Sequence, residues 1–247
     1  MTNFSLEKRK IQKPVKPLSL SQQFNNNFHE FVKANPLWIN ELIPLYPIDM
    51  NYRKINLIKY DINKLINDLW IADKNTKWTD KDNETHKWTS ITLKSITGED
   101  QPFLIETELG IGENNKYKYT KAMEGCNYFK EILDNIPTDV YLVRLLKLDA
   151  GGLIKFHTDN VVFKKTKDII RCHIPIITNK NVKFRLGYPQ MRPAPGCGIW
   201  KADLLHEKHL DAGYMWYTNV NALHGVINNS NQDRYHLVID MRPPFVM

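Results

Sequence analysis

The sequence predicts a mainly β fold, a jelly-roll core carrying helices on its N-terminal side, and three observations predict it. From Tyr141 to Met241 short runs of aliphatic, aromatic and β-branched residues follow one another. Turn-forming clusters such as Asp149-Ala150-Gly151-Gly152 and Asn228-Asn229-Ser230-Asn231 separate these runs. Helical spacing of apolar residues, by contrast, is found in the first half of the chain. Many short strands at fairly even spacing close on themselves as a sandwich or barrel.

In chain order, residues 1–50 read as an N-terminal extension. Pro14, Pro17, Pro36, Pro44 and Pro47 interrupt it, and Leu20 to Lys33 is a short helix with Ser19 or Ser21 as its cap. Residues 51–140 form a mixed flank. Ile62, Leu65, Ile66 and Leu69 share one helical face behind Asp61, which suits a helix lying over a sheet. Trp88 to Leu93 has strand character, Thr97 to Tyr119 is loop-rich, and a second helix is expected at Met123 to Asp134. Residues 141–247 form the jelly roll. Its strands are expected at Tyr141–Leu148, Ile154–Asp159, Ile169–Thr178, Val182–Leu186, Gly213–Asn219, His224–Ile227 and Tyr235–Met241. Flank and jelly roll together make one domain.

Composition narrows the class of protein. With 247 residues, 42% hydrophobic and 11% aromatic, the chain can bury one large core. Its longest apolar stretches are far shorter than a bilayer span and carry Arg171, His173, His236 and Asp240, so no membrane span is expected. Met1 to Pro17 lacks the apolar core of a signal peptide, and a cytoplasmic location is the expectation. Cys126, Cys172 and Cys197 fit neither a disulfide framework nor a CxxC motif and read as reduced thiols. The net charge of +7 gathers partly in Lys8-Arg9-Lys10 and Lys116 to Lys121, without the interleaved aromatics of single-strand binders. Those charges read as a solvated face, and nucleic acid is not the expected partner.

The residues that carry chemistry are His157-Thr158-Asp159, His224 and Arg234. Positions two apart on a strand project to the same side, so His157 and Asp159 can grip one ion together. His224, from a later run, completes two imidazoles and a carboxylate, the facial ligand set of a non-haem iron(II) oxygenase with open positions for oxygen and a co-substrate. Gly151-Gly152 upstream gives a turn able to swing the first pair toward a pocket. Arg234 leads the strand Tyr235-His236-Leu237-Val238-Ile239-Asp240, where a buried guanidinium needs a carboxylate. Either the far carboxylate of a dicarboxylate co-substrate supplies it, or a neighbouring Asp233 or Asp240 does. Arg171 and His173 share one face of Ile169–Ile176 and pose the same question.

His206-Glu207-Lys208-His209 has its histidines one residue too close for the zinc-protease motif and reads as an exposed turn. Trp88, Trp200, Trp216 and Tyr217 read as core aromatics. No phosphate-binding glycine loop, GxSxG elbow or catalytic cysteine signature is present.

Taken in order, Gly151-Gly152, His157-x-Asp159, Arg171-x-His173-x-Pro175 and His224 with Arg234 ten residues on resemble the aspartyl/asparaginyl β-hydroxylase family of 2-oxoglutarate-dependent iron(II) oxygenases. The resemblance covers about residues 140 to 243, with a weaker echo in His86-x-Trp88. It implies a double-stranded β-helix, the cupin-like form of the jelly roll. It also implies iron(II) at His157, Asp159 and His224, and 2-oxoglutarate held by Arg234 and by Arg171 with His173. O2 is then the oxidant, ascorbate a reductant in vitro, and the substrate an amino acid or an amino-acid residue in a peptide. The presence of Asp159 leaves no ligand position for a halide and disfavours halogenation. Leu146 stands where a serine helps bind the co-substrate in other members. The alternatives are a binding module that has lost catalysis, which the intact ligand set argues against, and a nucleic-acid-directed oxygenase, whose Arg-x-Asn-x-Thr-x-Arg run is missing after His224.

Overall fold

The computed structural model describes residues 52–55, 58–80, 88–100, 117–157, 159, 170–189, 202–220 and 223–241. The expected helix at 20–33, the extension at 1–50, His86, Cys197 and Trp200 lie outside them. The elements are β1 (Tyr52–Lys54), α1 (Ile62–Asn75), β2 (Thr79–Asp80), β3 (Trp88–Ser95), β4 (Lys118–Tyr119), a 3-10 turn (Lys121–Met123) and α2 (Asn127–Asp134). The barrel strands follow as β5 (Val140–Leu148), β6 (Leu153–His157), β7 (Ile170–Ile177), β8 (Val182–Pro189), β9 (Ala202–Lys208), β10 (Trp216–Thr218), β11 (His224–Asn228) and β12 (Arg234–Met241).

Two antiparallel sheets form, one in the order β1-β10-β7-β12-β5-β3-β2 with β4 on β3, the other β6-β11-β8-β9. From β5 to β12 the chain crosses back and forth between them, and the β8–β9 hairpin stays within the smaller sheet. This is the double-stranded β-helix. The flank at 51–140 belongs to the same architecture, because β1 pairs with β10 and β3 with β5, widening the larger sheet at both edges.

Strand alternation gives the larger sheet two different faces. Val143 and Leu145 of β5, Cys172, Ile174 and Ile176 of β7, and Leu237, Ile239 and Met241 of β12 point outward under the helices. There they meet Leu65, Leu69 and Ala72 of α1 and Phe129, Ile132 and Leu133 of α2. Each such aliphatic or aromatic side chain contributes roughly 1.5–3 kcal/mol on leaving water. α1 begins where Asp61 accepts from the backbone N–H of Asn63 at 2.9 Å and of Lys64 at 3.2 Å. Buried Asp68 then ties α1 to α2 by accepting from the Phe129 N–H at 2.8 Å. The other face of the sheet turns toward the smaller sheet and a second core of Leu148, Phe184, Leu186, Leu210, Trp216 and Val226.

Trp216 and Tyr217 are buried core residues, as expected, one in each core. Cys126 and Cys172 are free and buried, and burial pushes the Cys126 thiol up to about 12. Two expectations are corrected. The helix expected over Met123–Asp134 is split into the 3-10 turn and α2 at Gly125, whose φ of 78° no helix accommodates. His206, Glu207 and Lys208 form no turn but lie in β9, opposite Leu186, Arg185 and Phe184. β9 ends the smaller sheet and exposes Leu204, His206 and Glu207, so its sequence lacks the inward apolar alternation by which strands are recognised.

Candidate active site

His157 is the last residue of β6 and His224 the first of β11, and the ladder pairs them directly. Gly225 permits this approach, since a Cβ there would lie 2.7 Å from the Ile154 carbonyl oxygen. The ladder shifts register between His224 and Val226 at the same point. Beyond β6, the Asp159 N–H donates to the Val220 carbonyl at 3.0 Å, fixing the third residue against the approach to β11. Backbone bonds thus bring together His157, Asp159 and His224, whose ligand atoms all lie within 4.8 Å of one another.

Orientation is set around these side chains. His157 directs Nδ1 at the Lys155 carbonyl, 2.8 Å away, so its Nδ1–H donates there and Nε2 turns to Asp159, 3.4 Å from Oδ1. The His224 ring stacks on Phe184 with centroids 5.7 Å apart and planes inclined at 18°. Burial works to raise the Asp159 carboxyl, but the Arg171 guanidinium and the two imidazoles outweigh it and hold the group well below the usual carboxylate range. Two imidazoles and an ionised carboxylate gathered together suit a divalent iron.

Next to this cluster a cavity opens between the sheets, with His173, Phe184, Leu210, Val226, Arg234 and His236 among its lining. Arg234 is 2% exposed, and its Nε and Nη1 have no hydrogen-bond partner among the described residues. Burial lowers it to about 10. The neighbouring acids are occupied elsewhere: Asp233 accepts from Lys147 at 3.1 Å and from the Ala150 N–H at 2.9 Å, and Asp240 holds Arg171. Neither Asp233 nor Asp240 therefore supplies the Arg234 counter-charge. A buried cation facing a cavity without an anion is what a carboxylate ligand would satisfy.

His173 and His236 also reach this cavity, their Nδ1 atoms 3.4 Å apart, and His236 Nε2 is buried without a partner among the described residues. Burial and then Arg234 depress both imidazoles well below their ordinary value, so both are neutral. His236 was not singled out in the sequence, although it lies two positions from Arg234 on the same strand face. Leu146 is paired with His236 on one side and with Ser90 of β3 on the other, and the Ser90 hydroxyl is buried without a partner among the described residues.

Arg171 is placed differently from what the resemblance implies. It does not line the cavity; Nε and Nη2 donate to the two oxygens of Asp240 at 2.7 and 2.8 Å, and Nη1 donates to Asp159 Oδ2.

The sequence profile of aspartyl/asparaginyl β-hydroxylases matches residues 52–244, from β1 past the end of β12. The chain belongs to the aspartyl/asparaginyl β-hydroxylase family. No protein of curated function matches it. Among solved structures it is similar to a 2-oxoglutarate–iron(II) oxygenase family oxidoreductase from Burkholderia pseudomallei, with 11% identity, 79% of this chain and 86% of that one covered, and a TM-score of 0.49. A Pseudomonas putida prolyl-4-hydroxylase is similar at 11% identity over 79% of this chain and 94% of that one, with a TM-score of 0.44. This β-hydroxylase family member is an iron(II)- and 2-oxoglutarate-dependent oxygenase, and its side chains fit both groups: a two-histidine, one-carboxylate cluster for the metal and an unpaired buried guanidinium for the dicarboxylate.

Proposed function

We propose that the protein hydroxylates a C–H bond of an amino acid, free or within a peptide, with iron(II) at His157, Asp159 and His224 and the far carboxylate of 2-oxoglutarate at Arg234. The observation that carries this reading is the unpartnered guanidinium of Arg234, buried in the cavity that His173 and His236 also line. Family membership supports the amino-acid substrate class.

Iron(II) with 2-oxoglutarate supplies the activation of O2 that places one oxygen atom in an unactivated C–H bond. The chain's own groups do the rest. The Lys155 carbonyl keeps the His157 Nδ1 proton and leaves Nε2 as the donor atom. Arg171 keeps Asp159 ionised. Arg234 takes the far carboxylate in a charge-assisted bond, and His236 Nε2 stands beside it as a second contact that adds no charge. Phe184, Leu210 and Val226 give the cavity an apolar wall, which strengthens each of these contacts.

The test is mass spectrometry of an amino-acid and peptide library incubated with the protein, iron(II), ascorbate, O2 and 2-oxoglutarate. A product heavier by one oxygen, formed with 2-oxoglutarate consumption, is expected. Binding of iron and 2-oxoglutarate without consumption by any library member would show the non-catalytic module instead.

A further inference from the structure

We propose that Arg171 is a positioning residue for Asp159, anchored by Asp240, and that it leaves Asp159 one oxygen for the metal instead of binding the co-substrate. The proposal rests on the reading of His157, Asp159 and His224 as the metal site.

Every nitrogen of the Arg171 guanidinium is engaged by a carboxylate. Asp240 is its direct partner across the β12–β7 ladder, is 2% exposed, and receives the Nε–Nη2 edge as a two-pronged pair. The planar fork is thereby fixed in direction, and its remaining prong, Nη1, meets Asp159 Oδ2. Arg144 adds a second cation to Asp240 at 3.6 Å. Two guanidiniums against two carboxylates leave this cluster without net charge, whereas Arg234 retains its own. A dicarboxylate is therefore drawn to Arg234 and not to Arg171.

The consequence lies in the geometry at Asp159. With Oδ2 held by Arg171, Oδ1 is the oxygen left on the His157 side, 3.4 Å from Nε2. Oδ1 is thus the Asp159 oxygen that would hold a cation together with His157 and His224. Asp240, distant in sequence and on another strand, thus acts on the metal through Arg171.

The experiment measures equilibrium binding of Mn(II) under nitrogen, followed by electron paramagnetic resonance, and then binding of 2-oxoglutarate to the Mn(II)-saturated protein. The variants are Arg171→Met, Arg171→Lys and Asp240→Asn. Arg171→Met and Asp240→Asn are expected to weaken Mn(II) binding about 10- to 100-fold, the range for a residue that orients a metal ligand. They should alter the Mn(II) spectrum and leave 2-oxoglutarate affinity within about threefold of wild type, since Arg234 is untouched. Arg171→Lys should recover part of the metal affinity. If Arg171→Met fails to fold, Arg171→Lys and Asp240→Asn read the same split. Unchanged Mn(II) affinity with a fall in 2-oxoglutarate affinity overturns the proposal and returns Arg171 to the co-substrate; equal loss of both, or of neither, also overturns it. Failure of the underlying site is separate, since it would show as wild type that binds no Mn(II) or as His157→Ala that binds it normally.

Discussion

His157 and His224 are direct partners across the β6–β11 ladder, their ring centroids 4.3 Å apart. The two-histidine, one-carboxylate cluster is thus assembled by strand pairing, with each histidine at a strand end and the His224 ring laid against Phe184.

Replacing either histidine by Ala is expected to abolish metal binding and substrate hydroxylation while the fold survives. His157 is partly exposed, so its loss should cost about 1 kcal/mol of unfolding free energy, whereas His224 is buried against Phe184 and its loss should cost about 1–3 kcal/mol. Calorimetric Mn(II) titration and thermal melting check the two halves of this statement. Wild-type turnover in either variant would remove that histidine from the site.

Arg234→Met should separate function from stability. Deleting a charge-assisted bond worth roughly 1.5–3 kcal/mol raises the 2-oxoglutarate KM on the order of tenfold to a hundredfold. The same substitution removes an unpaired buried charge, so the ligand-free variant should be more stable than wild type by on the order of 1 kcal/mol or more. Urea unfolding without ligand and steady-state kinetics test the pair of outcomes; an unchanged KM would sever Arg234 from the co-substrate.

Acid should destabilise the protein from about pH 6.5 downward. His173 and His236 are held neutral by burial and by Arg234, with folded values well below the ordinary 6.5. The unfolded chain therefore binds protons that the folded chain refuses, and stability declines as pH falls, by up to about 1.4 kcal/mol per pH unit for each histidine. Asp159 acts in the same direction but only near its unfolded value of about 4 and below, so pH 5 to 6.5 isolates the histidines. His236→Gln should halve the slope of unfolding free energy in that window. A flat profile for wild type would contradict the buried neutral pair.

Asn228→Ala tests what holds the base of the barrel. Its fully buried Nδ2 donates to the carbonyls of Leu148, Asp149 and Gln232 at 3.2, 2.9 and 2.8 Å, joining the turn before β6 to the turn before β12. Truncation strands those acceptors and should cost about 2–4 kcal/mol in urea unfolding. A cost under about 0.5 kcal/mol would mean that water replaces the amide there.

Asp159 lies just past the end of β6 and not on the strand expected for it, but the strands with apolar inward faces, the helix behind Asp61, the strand positions of His157 and His224, and Arg234 at the head of β12 were legible in the sequence alone. These are local properties, because a period of two or 3.6 residues states which face a side chain takes. Only the tertiary structure decided which faces meet. Strand β9 escaped the sequence because an edge strand shows little alternation, and His236 because its unpartnered Nε2 exists only once β12 is packed against β5 and β7. Arg171 illustrates the same limit. Its face could be read from the strand period, but its partner, Asp240, depends on the β7–β12 register, and register between distant strands is set by the whole sheet and not by either segment alone.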